Sequence, residues 1–189
     1  MINKKFIQKL KKEYDQREAE RREIISWSNN VLHGAKRVIF ALHRDAQDKA
    51  EKQLGEVEKI LTRLEKKFGH TRLAVEGAYK AAVEEYVEAK MFFRVLRGEK
   101  VDKINRLKID LDSYLGGICD LTGELVRRAI NEAAAGRYEE VGKIKKTIGD
   151  IMAELVEFDM TGYLRTKYDQ AKSSLRKIEQ IHYEIKTRK

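Results

Sequence analysis

The sequence predicts an all-α protein, a bundle of seven helices, and three observations carry that reading. No proline occurs in its 189 residues. Apolar residues recur at three- and four-residue steps through each long segment, and no stretch alternates apolar with polar as a half-buried strand does. Charged residues make up 38% of the chain, with Lys, Glu, Arg, Leu and Ala abundant, which is the composition of long solvated helices. The length suits one domain over residues 1–189, large enough to bury a real core.

Taken in order, residues 3–46 read as one long helix or two in line. Ser28, Val31, Ala35, Val38 and Leu42 make its stripe, widened by Ile24, Ile25, Trp27 and Ile39, with Gly34 a weak point. Residues 48–68 form a second helix whose seam is Leu54, Val57, Leu61, Leu64 and Phe68; Lys66, Lys67 and then Gly69 give it a C-terminal stop. The third helix runs from about 71 to 97 and ends at Gly98. It turns Val75, Tyr79, Ala82, Tyr86, Ala89, Phe93 and Leu96 inward, which leaves Glu84 expected at the surface. Asp102 reads as the N-cap of a short helix over 103–108. A fifth helix, capped near Asp112 or Ser113, extends to Gly136, and a sixth covers about 137–158 with Val141, Ile144, Ile148, Ile151, Met152 and Leu155 inward. After turn residues at 159–162, the last helix, about 163–187, carries Leu164, Tyr168, Ala171, Leu175, Ile178, His182 and Ile185 on a seam.

Several classes are disfavoured at once. The single cysteine, Cys119, excludes an internal disulfide and fits a reducing compartment. The first twelve residues hold no apolar core of a secretory signal, and no apolar run approaches the ~18 residues of a membrane span. A cytoplasmic protein without a membrane partner is therefore expected. There is no Walker loop, no G-x-G-x-x-G and no zinc spacing. Glu179-Gln-Ile-His182 is one Glu-x-x-His motif, but a di-iron bundle needs two, so His182 reads as a seam residue. Cys119 lies beside Asp120, whose charge opposes thiolate formation, and it is no nucleophile candidate.

Charge is distributed unevenly. The net charge is +9; residues 1–68 hold 17 Lys/Arg against 11 Asp/Glu and residues 163–189 hold 8 against 3, leaving 15 against 17 for residues 69–162. A basic periphery around an acidic centre suits a protein that attracts a polyanion and also holds cations. Lys36, Arg37 and Arg44 are candidates for a phosphate-contacting row, since positions 37 and 44 lie two turns apart on one face. His70 and Arg72 open the next segment and could also touch RNA, although His70 reads better as a turn residue.

The fifth helix contradicts its own propensities. Tyr114, Ile118, Leu121, Leu125 and Ala129 form its stripe, and Asp120 and Glu124 flank that stripe as a like-charge pair worth roughly 0.2–0.5 kcal/mol of destabilisation. Gly116, Gly117 and Gly123 cost about 0.8–1.0 kcal/mol each relative to alanine. Something is expected to approach this backbone closely, and something cationic to sit at its carboxylates. Glu85 and Glu88 make a second like-charge pair on the third helix. These four acids are the ligand type that Mg²⁺ or Mn²⁺ prefers, if the two helices meet. An interaction protein that binds partner helices and catalyses nothing would carry the same seams.

Tyr114-Leu-Gly-Gly-Ile-Cys-Asp-Leu-Thr-Gly-Glu-Leu-Val-Arg127 resembles the Y-x-x-G-x-x-D-L-T-G-E-L-x-R run of the translin family. Lys36-Arg-Val-Ile-Phe-Ala-Leu-His-Arg44 is similar to the family's K-R-x-I-F-x-L-H-R run, Glu85-Tyr-Val-Glu-Ala89 to the E-F-V-E-A of its Trax branch, and Tyr168-Asp-Gln-Ala-Lys172 to its C-terminal helix. The resemblance implies a seven-helix bundle of the translin type that assembles into a hollow, octamer-like shell and binds single-stranded RNA and also DNA. It implies a divalent-metal-dependent endoribonuclease with Glu85, Glu88, Asp120 and Glu124 as catalytic and metal-binding residues, and Mg²⁺ or Mn²⁺ as the ion. Lys36, Arg37, His43, Arg44 and Arg127 are the expected RNA-binding residues. The alternative is a non-catalytic oligomer that binds single-stranded RNA or DNA. The chain lacks the longer connection that Trax proteins of complex cells carry before the D-L-T-G-E-L run, and their C-terminal tail. A homo-oligomer is therefore expected, with a translin hetero-partner left open.

Overall fold

The stripe in the first segment folds as one uninterrupted helix, α1 (Lys4–His43), about 60 Å long at 1.5 Å per residue. In the computed structural model, which describes residues 1–105 and 107–187, α1 is buried only from Ile24 onward, along Ser28, Val31, Ala35, Val38, Ile39 and Leu42. Gly34 proves to be a contact point rather than a weakness. A Cβ there would stand 2.6 Å from Val57 Cγ2, so the missing side chain lets α2 (Gln47–Phe68) lie close against α1. The α2 seam of Leu54, Val57, Leu61 and Leu64 is buried as expected. Gly69, at φ +74°, then reverses the chain in a conformation that suits glycine.

The third segment departs from the expectation of one helix from 71 to 97. A single turn, α3 (His70–Leu73), is followed by a break, and α4 (Gly77–Leu96) starts afresh. Leu73 and Tyr79 are both buried. Six residues apart on one continuous helix, they would point about 120° from each other and could not share one narrow buried stripe. The break lets both turn inward, and the cost is Val75, which is 71% exposed instead of inward. Arg72 clasps the break by donating to Glu76 at 2.6 Å and pairing with Glu20, so it is engaged within the chain.

The short helix expected over 103–108 is also absent from the described residues. Position 106 lies outside them, and residues 101–105 and 107–110 on either side are not helical. Tertiary partners hold this segment instead. The Ile104 N–H donates to the Tyr114 hydroxyl at 2.6 Å, the Lys108 N–H to Glu65 at 2.9 Å, and Arg94 donates to the Asp102 carbonyl at 2.5 Å. Helix α5 (Leu111–Ala134) then begins two to three residues earlier than expected. Its cap is Asp110, whose carboxylate accepts from the Ser113 N–H and hydroxyl, both at 2.9 Å. The remaining helices, α6 (Tyr138–Leu155) and α7 (Gly162–Thr187), match their expected spans to within a few residues.

Seven helices, with no strand, thus occur among the described residues. They stack as α2, α1, α4 and α5 in succession, with α6 and α7 packed on α5 and on each other. Helix α4 is central, gripped by α1 on one side and α5 on the other, and has almost no solvated face. Arg128 of α5 locks the end of α1 by donating to the Leu42 carbonyl at 3.1 Å and to Asp45 at 2.6 Å. The acids of interest therefore lie where α1, α4, α5 and α7 come together.

Candidate active site at the α4–α5 crossing

Two glycines bring the helices into register. A Cβ on Gly117 would come within 2.7 Å of the Glu84 carbonyl oxygen and 2.8 Å of Val87, and one on Gly116 within 2.1 Å of the Glu84 carboxylate. The expected close approach to α5 is real, and it is α4 that approaches. Gly123 has nothing within 4 Å, so it takes no part in it.

The crossing gathers the four acids into one cluster. Burial first, and then the charges of Glu85, Asp120 and Glu124, push the Glu88 carboxyl up to about 9. Glu85 is raised by burial and by Asp120 and Glu124, against the pull of Lys36. Burial raises Asp120 too, opposed by Lys167. Glu124 goes the other way: burial raises it, but His43 and Arg127 together hold it below the usual range. Glu85 and Glu88 of α4 thus lie within electrostatic reach of Asp120 and Glu124 of α5. Glu85, Asp120 and Glu124 keep roughly a fifth of their side-chain surface exposed, so the cluster opens to solvent.

Three of the four acids contact a cation or an imidazole. Lys167 of α7 donates to Asp120 at 2.5 Å, Lys36 lies 3.9 Å from Glu85, and Arg127 donates to Glu124 at 3.4 Å. His43 pairs with Glu124 through Nε2 and packs on the Phe92 ring at 5.0 Å. The expected cations at the α5 carboxylates are present, and Lys167 is the one that sequence reasoning missed.

Two assignments change. His43 does not stand on the open surface: its side chain is only 5% exposed, and it pairs with Glu124. Glu84 is not on the surface. It is buried, accepts from the Tyr163 hydroxyl at 2.6 Å and pairs with Lys167 at 2.8 Å. Lys36, Arg37, Arg44 and Arg127 are exposed. Between the faces of Arg37 and Arg44 lies Phe40, 49% exposed, with the Arg44 guanidinium 4.2 Å from its ring centroid. The repeat 37, 40, 44 was the available signal for this aromatic. Burial raises the Cys119 thiol to about 12, with Asp120 adding to the effect, so it stays protonated and inert.

The donor chemistry of the cluster, carboxylate oxygens alone on two helices, fits a hard divalent cation. As the side chains stand, they are drawn toward Lys167, Lys36, His43 and Arg127. Among the described residues no three His, Cys, Asp or Glu side chains close around a single point.

The buried proton has a measurable consequence. The folded chain holds the Glu88 proton up to about pH 9, whereas the unfolded chain releases it near 4.5. The folded state binds more protons across that window, so stability falls as pH rises through it. Metal-free protein is expected to show a higher urea midpoint at about pH 6 than at about pH 8.5, and Glu88→Gln to flatten that difference. A slope unchanged in the variant would place the proton elsewhere.

The translin family profile matches residues 19–189. Translin of Gallus gallus is 29% identical over 92 residues, spanning 48% of this chain and 40% of translin. Translin-associated protein X of Rattus norvegicus is 26% identical, over 98% of this chain and 77% of its own length. Among solved structures, apo-NeC3PO superposes with a TM-score of 0.85 over 97% of both chains at 22% identity. A chain of the AfC3PO–duplex RNA complex superposes with a TM-score of 0.85, also over 97% of both chains, at 20% identity. No helix among the described residues is long and apolar enough to cross a membrane.

Proposed function

The chain belongs to the translin family, and from that premise we propose that it is a divalent-metal-dependent endoribonuclease acting on single-stranded RNA inside a self-assembled helical shell. The observation that carries the reading is the single cluster made by Glu85, Glu88, Asp120 and Glu124 at the α4–α5 crossing. The match to translin-associated protein X, which spans nearly the whole chain, supports the Trax-like branch. The AfC3PO relative was solved with duplex RNA, which supports RNA as the class of ligand.

Glu85, Glu88, Asp120 and Glu124 would hold Mg²⁺ or Mn²⁺. When bound, such an ion supplies Lewis acidity toward a phosphodiester oxygen and a water of lowered pKa. Glu88 must give up its proton for ligation, so metal affinity rises with pH. His43 fixes the Glu124 carboxylate from the buried side, leaving its solvent side to the ion. Lys36 and Arg127 flank the acids, where they would meet the phosphates on either side of the scissile bond.

Arg37, Phe40 and Arg44 form an exposed basic and aromatic row on α1 that suits a single strand, with bases stacking on the ring and phosphates meeting the guanidinium groups. Arg37→Ala with Arg44→Ala is expected to weaken RNA retention and to reduce the salt slope of binding by about 0.7 per lost contact. An unchanged slope would remove α1 from the binding surface. The shell is supported by α1 itself: its residues 4–17 are exposed and present Phe6, Ile7, Leu10 and Tyr14 to solvent, an apolar face suited to other copies of the chain.

Labelled single-stranded RNA incubated with Mn²⁺, Mg²⁺ or EDTA tests the reading. Products that appear only with a divalent ion are the expected result. Salt-sensitive retention without products under any ion would instead establish an RNA- or DNA-binding oligomer without catalysis.

A further inference from the structure

Lys167 is the least explained cation of the cluster. It comes from α7, outside the two helices that carry the acids, and only 16% of its side chain is exposed. Its ammonium lies 2.5 Å from Asp120 Oδ2 and 2.8 Å from Glu84 Oε1, so it bridges one of the four clustered acids and one carboxylate outside that set. Glu84 is itself a prepared partner. It is buried, its Oε1 accepts from the Tyr163 hydroxyl at 2.6 Å, and its Oε2 fills the space that the absent Gly116 side chain leaves. The chain thus accepts a glycine inside α5, at a cost in helix propensity, and the result is a second buried carboxylate beside Lys167.

A lysine ammonium and a divalent ion cannot both sit on Asp120 without strong repulsion across a partly buried site. The ammonium has three donors on a flexible stem, so it can leave Asp120 and keep Glu84 and Tyr163. We propose that Lys167 is the resident counter-cation of the acid cluster, which a divalent ion must displace from Asp120, and that Glu84 with Tyr163 is the berth to which its ammonium withdraws. The inference rests on the metal reading of the four acids. It gives the site a threshold: a monovalent ion cannot displace an ammonium already hydrogen-bonded to the carboxylate, whereas a divalent ion that engages several of the acids can.

Binding of Mn²⁺ alone, followed by titration of the metal-free protein without RNA, tests this. Lys167→Met removes the competing charge while keeping the length of the side chain, and it is expected to tighten Mn²⁺ binding by about tenfold or more. Lys167→Arg keeps the charge and is expected to leave affinity near wild type. A second measurement needs no variant: amine-reactive labelling of the wild type, read by mass spectrometry. Lys167 labelling is expected to fall on Mn²⁺ addition, as its ammonium withdraws toward buried Glu84, but not on Na⁺ addition, while exposed Lys146 stays constant. Mn²⁺ binding to wild type that Asp120→Ala abolishes, with Lys167 labelling unmoved and Lys167→Met no tighter, overturns the role of Lys167 alone. No Mn²⁺ binding by wild type or by Lys167→Met overturns the metal reading as well.

Discussion

Gly117→Ala is expected to destabilise the protein by about 1 kcal/mol or more, although the same change in an isolated helix would be favourable. The new methyl would meet the Glu84 carbonyl oxygen at 2.7 Å and Val87 at 2.8 Å, both on the rigid α4 backbone or one bond from it. Relief requires α4 and α5 to separate, and overpacking of this kind costs about 1–3 kcal/mol or more, which outweighs the ~1 kcal/mol gained in helix propensity. Gly123→Ala supplies the opposite sign in the same helix. Nothing lies within 4 Å of its position, so the propensity gain should appear nearly whole. For a chain of this size, each kcal/mol corresponds to about 2–4 °C in Tm. Thermal unfolding of the two variants should therefore bracket wild type. If Gly117→Ala is as stable as Gly123→Ala, the close crossing that assembles the acids is wrong.

That pair of glycines also marks where sequence reasoning succeeded and where it stopped. Three glycines and two like charges in one helix were enough to require a close neighbour and a cation. They could not say that the neighbour was Glu84. Periodicity places Glu84 off the α4 stripe, and a helix with one buried face would expose it. But α4 is packed on two sides, by α1 and by α5, so one stripe underestimates what it buries. The same limit applies to His43, which sits among basic residues in sequence yet turns toward α4 at the last turn of α1. Single-faced helices were read well: the buried sets of α2 and α6 follow from the three-and-four spacing. The segment around 103–108 was not, because its backbone is held by Tyr114, Arg94 and Glu65, all distant from it in the local pattern.

Lys167 shows the other kind of blindness. It lies 47 residues from Asp120 along the chain, on a helix whose seam names only apolar positions. Nothing in its local sequence distinguishes it from the other lysines of α7. Its meaning depends on α7 packing against α5 at one particular turn. The four acids were legible because each pair sits within a single helix turn, and the resemblance joined the two pairs.

Glu124→Gln is the substitution with the largest expected effect on activity. RNA cleavage in Mn²⁺ should fall by at least about 10²-fold, toward the level that wild type shows in EDTA, while RNA retention and Tm stay close to wild type. The choice of glutamine matters. Glu124 is the partner of His43 Nε2, and the His43 side chain is almost fully buried. Alanine would leave that ring nitrogen without a partner at a cost of about 1–3 kcal/mol, so lost cleavage could reflect a loosened α1–α5 contact instead of lost chemistry. Glutamine still offers an oxygen to His43 but carries no charge for a divalent ion, so it separates the two explanations. Asp120→Asn makes the complementary test one turn away on the same face of the helix, where Lys167 rather than histidine holds the carboxylate. Both variants should lose cleavage while still binding RNA through Arg37 and Arg44. Cleavage retained in both would mean that the acids at the α4–α5 crossing serve the fold and that phosphodiester chemistry, if present, is done by other residues.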